Sequence, residues 1–308
     1  MRRTFGAAAL FLSAALTLTA CGSGGSGGNP LDTTSAAPSG SAPASGGGKA
    51  VIGSFDFDES VLLGSIYAQA LEAKGVEVEE KPRIGSREVV YDQVKSGGLT
   101  IVPEYNGNLL AFIDLQNTAA TTDEVNTALK EKLPAELQAL DSSPAEDKDT
   151  LSITKDAQAK QSLTTMEDLA KVSKDMIVGG PPEFKKRWEA RFKDVYGLEF
   201  KQWKATGPTT ADAIKDGSIQ VGNVFSTDPK MTANDLVPLE DPKNIFPAQN
   251  VTPLVNKAAA NDTITGTLNE VSAKLTTESL LEMMQKISVN KDEPATVAKE
   301  WLSTNGLG

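Results

Sequence analysis

Histidine is absent from all 308 residues. Its absence removes the usual general base of Ser and Cys hydrolases and the commonest zinc ligand. No Gly-x-Ser-x-Gly elbow between a strand and a helix stands in for it, the one match at 24–28 lying in a Gly/Ser-rich stretch, and no cluster of metal-ligating residues does, so neither an enzyme nor a cofactor or metal is expected. Positive charge is scarce as well: 30 Lys and Arg face 41 Asp and Glu, a formal charge of -11, with no basic cluster long enough to track phosphates. Nucleic acid is therefore excluded as a partner. Cysteine occurs once, as Cys21.

The chain opens on Arg2 and Arg3, an apolar run over 5–18, and Leu18-Thr19-Ala20 directly before Cys21. A basic start, a hydrophobic segment short for a membrane span and small residues before a break mark residues 1–20 as a secretory signal peptide. Leu-Thr-Ala-Cys resembles a bacterial lipobox, which implies that Cys21 becomes the lipid-modified first residue of an exported, membrane-tethered protein. Residues 22–48 are almost wholly Gly, Ser, Pro, Ala and Thr, a composition that forms no core, and 21–49 together read as a lipidated flexible tether.

Two α/β series follow. The first predicts a strand over 50–54, a helix over 59–73 with Leu62, Leu63, Ile66, Ala70 and Leu71 at helical spacing, a half-exposed strand near Val76 and Val78, and a helix capped by Ser86. It closes on residues 99–110, LTIVPEYNGNLL, where a short apolar strand is stopped by Pro103 and a helix resumes. In an open α/β sheet the crevice beyond the strands' carboxyl ends takes the ligand, so Glu104, Tyr105, Asn106 and Asn108 fall on a binding edge. A helix is predicted over 123–133. The second series predicts strands over 151–154, 176–178, 198–203 and 219–224, with helices over 165–172, 182–195 and 210–215 between them. A strand over 251–255 then precedes three helical segments, broken near Thr276 and near 292–294. The pattern predicts two lobes with mainly parallel sheets, residues 50–148 plus 250–308 and residues 149–249, and a ligand cleft between them.

Several segments, in order from about residue 51 to the end, carry a family resemblance. They are Val51-Ile52-Gly53-Ser54, Tyr67-Ala68-Gln69, Gly85-Ser86-Arg87-Glu88-Val89-Val90, Pro103-Glu104-Tyr105-Asn106-Gly107, Gly180-Pro181-Pro182-Glu183-Phe184, Val224-Phe225-Ser226-Thr227-Asp228 and Phe246-Pro247. The chain is similar to the substrate-binding proteins of osmoprotectant ABC importers, which bind glycine betaine, choline, carnitine and related quaternary amines. The resemblance implies a hinged, two-lobed periplasmic-binding-protein-like fold that closes on a small molecule and docks on an ABC permease with its ATPase. A monomer on the outer face of the cytoplasmic membrane is expected. The family's aromatic box holds a quaternary ammonium by cation–π attraction, worth about 2 kcal/mol when desolvated.

Carried over by position, that box holds Tyr105, Asp149, Phe225 and Gln249, with Phe55 where the family has a lysine. Asn108 stands where a carboxylate-binding threonine is common, and Arg187 matches an arginine that grips the ligand carboxylate. Fewer rings and an added carboxylate still suit a cation, since Asp149 at about 4 Å from a trimethylammonium gains a few kcal/mol at an effective dielectric near ~20, before desolvation. Arg187 with Asn108 suits an acidic end. Asp149 and Arg187 are also placed to pair with each other. Ser86 and Arg87 open a helix, where backbone N–H groups bind anions or where the arginine simply stays exposed. Tyr67, Trp188, Trp203 and Trp301 are expected in the core. Two alternatives stay open: the same fold turned to a neutral or polyphenol-like solute, and a surface sensor or adhesion module.

Overall fold

A computed structural model describes residues 49–308. The signal-peptide, lipid-anchor and tether expectations, Cys21 included, fall outside the described residues. Among the described residues no helix is long and apolar enough to cross a membrane.

The chain runs β1 (Ala50–Phe55), α1 (Asp58–Ala73), β2 (Val78–Gly85), α2 (Arg87–Ser96), β3 (Ile101–Tyr105), α3 (Asn106–Ile113), α4 (Thr122–Lys132) and β4 (Leu137–Ala139). It crosses to β5 (Leu151–Thr154), α5 (Lys155–Gln161), α6 (Met166–Ala170), β6 (Ile177–Gly180), α7 (Pro182–Arg191), β7 (Gln202–Ala205), α8 (Thr210–Lys215), β8 (Val221–Asn223), α9 (Lys230–Ala233) and β9 (Leu236–Pro238). It then returns through β10 (Val251–Asn256) to α10 (Asp262–Lys274), α11 (Thr277–Gln285) and α12 (Pro294–Asn305).

Two five-stranded sheets result, ordered β2-β1-β3-β10-β4 and β7-β6-β8-β5-β9. The plan is the same in both: three parallel strands, then the strand that follows a crossing, β10 or β5, set antiparallel in the fourth place. Apolar faces explain the layers. Leu62, Leu63, Ile66, Tyr67 and Leu71 of α1 join Leu268, Val271, Leu280 and Leu302 of the C-terminal helices on one side of the first sheet. Val90, Val94, Leu109 and Leu129 cover the other side. In the second lobe Phe184, Trp188 and Phe192 pack one face and Ala211, Ile214 and Ile219 the other. Trp188 and Tyr67 lie in the core, as expected.

Three local expectations are corrected. β3 does not stop at Pro103 but runs through it to Tyr105, because Pro103 faces Pro253 in β10. Two facing prolines make a non-hydrogen-bonded pair, which demands no N–H from either. Ser86 sits at the N-cap of α2, but its hydroxyl donates to Glu88 Oε2 at 2.8 Å and caps no backbone N–H. The helix predicted over 182–195 is α-helical only to Arg191; a π turn over Phe192–Tyr196 follows, ended by Gly197 at φ 71°.

The two crossings run side by side as a short ribbon. Ser143 N–H donates to Val251 O at 2.8 Å, Val251 N–H to Ala145 O at 3.0 Å and Asp147 N–H to Gln249 O at 3.1 Å. Gln249 N–H adds a bond to Glu146 Oε1 at 3.0 Å. These bonds place Asp147 and Gln249 beside each other where the chain passes between lobes.

Candidate functional site

A cavity of about 580 Å³ opens between the lobes at the carboxyl ends of the parallel strands of both sheets. Phe55 closes β1 and Asp56 to Glu59 follow it, Ser86 and Arg87 follow β2, and Tyr105 closes β3 with Asn108 in the first turn of α3. From the second lobe Pro181 to Glu183 and Arg187 follow β6, Asn223 closes β8, and Val224, Phe225, Thr227 and Asp228 follow it. The lobes touch across it where Thr227 Oγ1 donates to Glu59 Oε2 at 2.6 Å and where Lys186 meets Glu88 at 3.5 Å.

One wall is aromatic. Phe57 is its centre, stacked 5.8 Å from Phe55 and 6.3 Å from Phe225, and tilted 6.3 Å from Tyr105. Tyr105 is 3% exposed and its hydroxyl donates to Glu59 Oε1 at 2.6 Å. Burial, then the Glu59 charge, push the Tyr105 phenol well above its ordinary value.

Polar groups continue the lining beside these rings. Arg87 is buried, not exposed: its Nε and Nη2 donate to Glu104 Oε1 and Oε2 at 2.9 and 3.0 Å, and its guanidinium lies 5.1 Å from the Phe55 ring centre. A two-point guanidinium–carboxylate fit is the strong form of this pair, so Glu104 is an internal partner of Arg87. Arg187 Nη2 lies 3.6 Å from Asp149 Oδ2, and no partner meets its buried Nε. Burial pulls the Arg187 guanidinium down, against the Asp149 charge.

Of the positions named from the sequence, Phe55, Tyr105, Asn108, Arg187 and Phe225 line the cavity together. Asp149 and Gln249 do not. Asp149 is fully engaged behind the wall, accepting from Trp188 Nε1 at 3.2 Å, Asn223 Nδ2 at 2.9 Å and Gln249 Nε2 at 3.4 Å. Gln249 Oε1 in turn accepts from Asp149 N–H at 2.8 Å and from Asn108 Nδ2 at 3.1 Å. Those bonds fix the amides of Asn108 and Asn223 with nitrogen toward the network, and leave both Oδ1 atoms buried without a partner.

Among the lining residues that a position-by-position reading misses are Phe57, Glu59, Asp147 and Asn223. A signal was present for the first two, because an aromatic set between acids, Asp56-Phe57-Asp58-Glu59, directly follows a strand's carboxyl end. Asp147 has none, since only the crossing ribbon brings it there. Burial raises the Glu59 carboxyl, and burial with the Glu59 charge raises Asp147 further.

Residues 48–304 match the family described as the substrate binding domain of the ABC-type glycine betaine transport system. The chain is 29% identical to the glycine betaine-binding protein YehZ of Escherichia coli over 274 residues, covering 83% of this chain and 90% of that protein. It is 22% identical to the carnitine transport binding protein OpuCC of Listeria monocytogenes over 313 residues, 96% of this chain and 94% of that one. Among solved structures, a glycine betaine/carnitine/choline ABC transporter protein superposes with a TM-score of 0.66 at 22% identity, covering 85% of this chain and 99% of that one. YehZ without ligand gives 0.60 at 26% identity, over 84% and 99%. The chain thus belongs to the substrate-binding proteins of ABC-type glycine betaine transport systems, two-lobed solute-binding components that work with a permease and are not enzymes.

Proposed function

We propose that this protein captures a quaternary amine of the glycine betaine, choline or carnitine type outside the cytoplasm and delivers it to its permease and ATPase. The observation that carries this reading is the pairing, across one cavity, of the Phe57–Tyr105–Phe225 wall with the buried, unpartnered Nε of Arg187. Rings 6.3 Å apart leave no room for a trimethylammonium between them, so the cation meets the faces turned to the cavity. Tyr105 and Phe225 take the cationic end, with Phe57 and Phe55 extending the wall, while Arg187 and Asn108 take the oxygen-bearing end. Asp149 and Gln249 act through Arg187, Asn108 and Asn223 by holding them in place.

Lobes of 50–148 plus 250–308 and of 149–249 close on the solute as two bodies, and only its differential affinity for the closed form shifts that equilibrium. The protein works as a monomer, exported by residues 1–20 and held at the outer face of the cytoplasmic membrane by lipid on Cys21.

Calorimetry of the purified protein against glycine betaine, choline, carnitine and proline betaine tests the ligand class. Heat from at least one of them is expected; silence from all, with heat from a neutral polar solute, refutes it. Metabolic labelling with palmitate tests the anchor, and label that persists in Cys21→Ala refutes it.

A further inference from the structure

The charges buried around the cavity do not balance. Glu59, Glu104, Asp147 and Asp149 are each at most 3% exposed, and Arg87 and the Arg187 side chain 9%. Arg87 is taken by Glu104 and Arg187 by Asp149. Glu59 and Asp147 remain, both lining the cavity, and no Lys or Arg among the described residues forms an ion pair with either.

The two carboxyls also hydrogen-bond each other, which requires one shared proton, so the pair carries one negative charge that its other bonds hold in place without a cation. Glu59 accepts from the Tyr105 and Thr227 hydroxyls, and Asp147 from the Thr227 N–H at 3.1 Å. A buried anion is costly unless a cation meets it. Independent groups of the same lining point the same way. The buried Oδ1 atoms of Asn108 and Asn223 are acceptors without donors, and the faces of Tyr105 and Phe225 carry the negative side of their quadrupoles. Arg187 brings no spare charge, because Asp149 matches it; its Nε asks only for a neutral acceptor oxygen.

We propose that Glu59 and Asp147 are the counter-charge for a ligand bearing one net positive charge, so that the cavity selects a quaternary-ammonium alcohol of choline type over a zwitterion such as glycine betaine. The inference rests on the quaternary-amine reading and narrows it. A hydroxyl satisfies Arg187 Nε and donates to an asparagine Oδ1. A carboxylate in its place finds the lining cations already matched, Arg83 by Asp58, Arg87 by Glu104, Arg187 by Asp149 and Lys230 by Asp212, and the negative Glu59–Asp147 pair nearby, a repulsive element that discriminates by itself.

Choline and glycine betaine share the trimethylammonium and differ at the other end, so their affinities for the purified protein, read by calorimetry, isolate the charge. Choline is expected to bind about tenfold tighter or more. Glu59→Gln and Asp147→Asn each lower choline affinity about tenfold while moving glycine betaine by less than about threefold, with melting curves run alongside to confirm folding. Glycine betaine equal to or tighter than choline in the unmodified protein overturns the inference and leaves the quaternary-amine reading standing, and needs no variant. A choline-to-betaine ratio that survives in both folded variants also overturns it. If neither compound binds and a neutral solute does, the functional reading fails and this inference falls with it.

Discussion

Arg87→Met isolates what the buried Arg87–Glu104 pair does. The methionine keeps much of the apolar stem, and Glu104 is left 1% exposed with one remaining donor, the Tyr105 N–H at 3.0 Å. Breaking a buried pair from one side costs about 3–5 kcal/mol. Urea unfolding of the ligand-free variant should show a loss of about 3–4 kcal/mol at about pH 7. The matching drop in melting temperature is roughly 6–16 °C. Adding Glu104→Gln should recover most of it. A loss under about 1 kcal/mol at neutral pH would show that the pair is not a buried, charge-matched unit.

Phe225→Ala, at a half-buried position on the second lobe, should weaken quaternary-amine binding about tenfold and shift the ligand-free melting curve little; unchanged affinity removes that ring from the site. Tyr105→Phe keeps the ring and deletes the hydroxyl bonded to Glu59, so binding heat should persist while urea stability drops by about 1–2 kcal/mol; no drop would mean that bond contributes nothing net. Burial lifts Glu59 and Asp147 above the ordinary carboxyl range, so the folded state holds more protons than the unfolded one between the two sets of values. Their contribution to stability should grow as pH falls from neutral towards about 4 and be complete below it. Melting scans of the ligand-free protein against Glu59→Gln test this: the variant should gain stability at neutral pH and lose part of the acid-side rise, and parallel profiles would refute it. Gly107→Ala puts a Cβ against the Ala248 carbonyl and 2.8 Å from Pro247 Cγ, so overpacking should cost about 1–3 kcal/mol in urea unfolding; a neutral result would show that the return crossing yields easily.

Periodicity made the framework legible because burial enforces it. Leu62, Leu63, Ile66 and Leu71 all reach the core, and the breaks near Thr276 and 292–294 fall where α11 and α12 begin. Short elements with little apolar content, β4, β9 and α5, carry no period to read, and sheet pairing or a Thr154 cap defines them instead. Pro103 misled because a proline's effect depends on the residue opposite it, and Pro253 lies some 150 positions away. The site shows the same limit. Tyr105 and Asn108 close a strand and open a helix and could be placed from local pattern, whereas Arg187 and Phe225 are reached only through the family resemblance. Asp149 could not, since its burial behind Trp188 and Asn223 is a product of the second lobe's packing. Asp147 reaches the cavity only because residue 249 fixes it from the other end of the chain.

The paired crossings have a mechanical consequence. Two single strands joining the lobes would allow twist, slide and bend alike, whereas a ribbon stitched by backbone bonds resists shear along its length and keeps one soft direction, flexing out of its own plane. Rotation of the lobes is thereby confined to opening and shutting, like a book on its spine. Asp147 lies on that spine and faces the cavity. On the proposal that Glu59 and Asp147 meet the ligand's charge, capture acts on the axis of rotation itself and closure needs no relay of side chains.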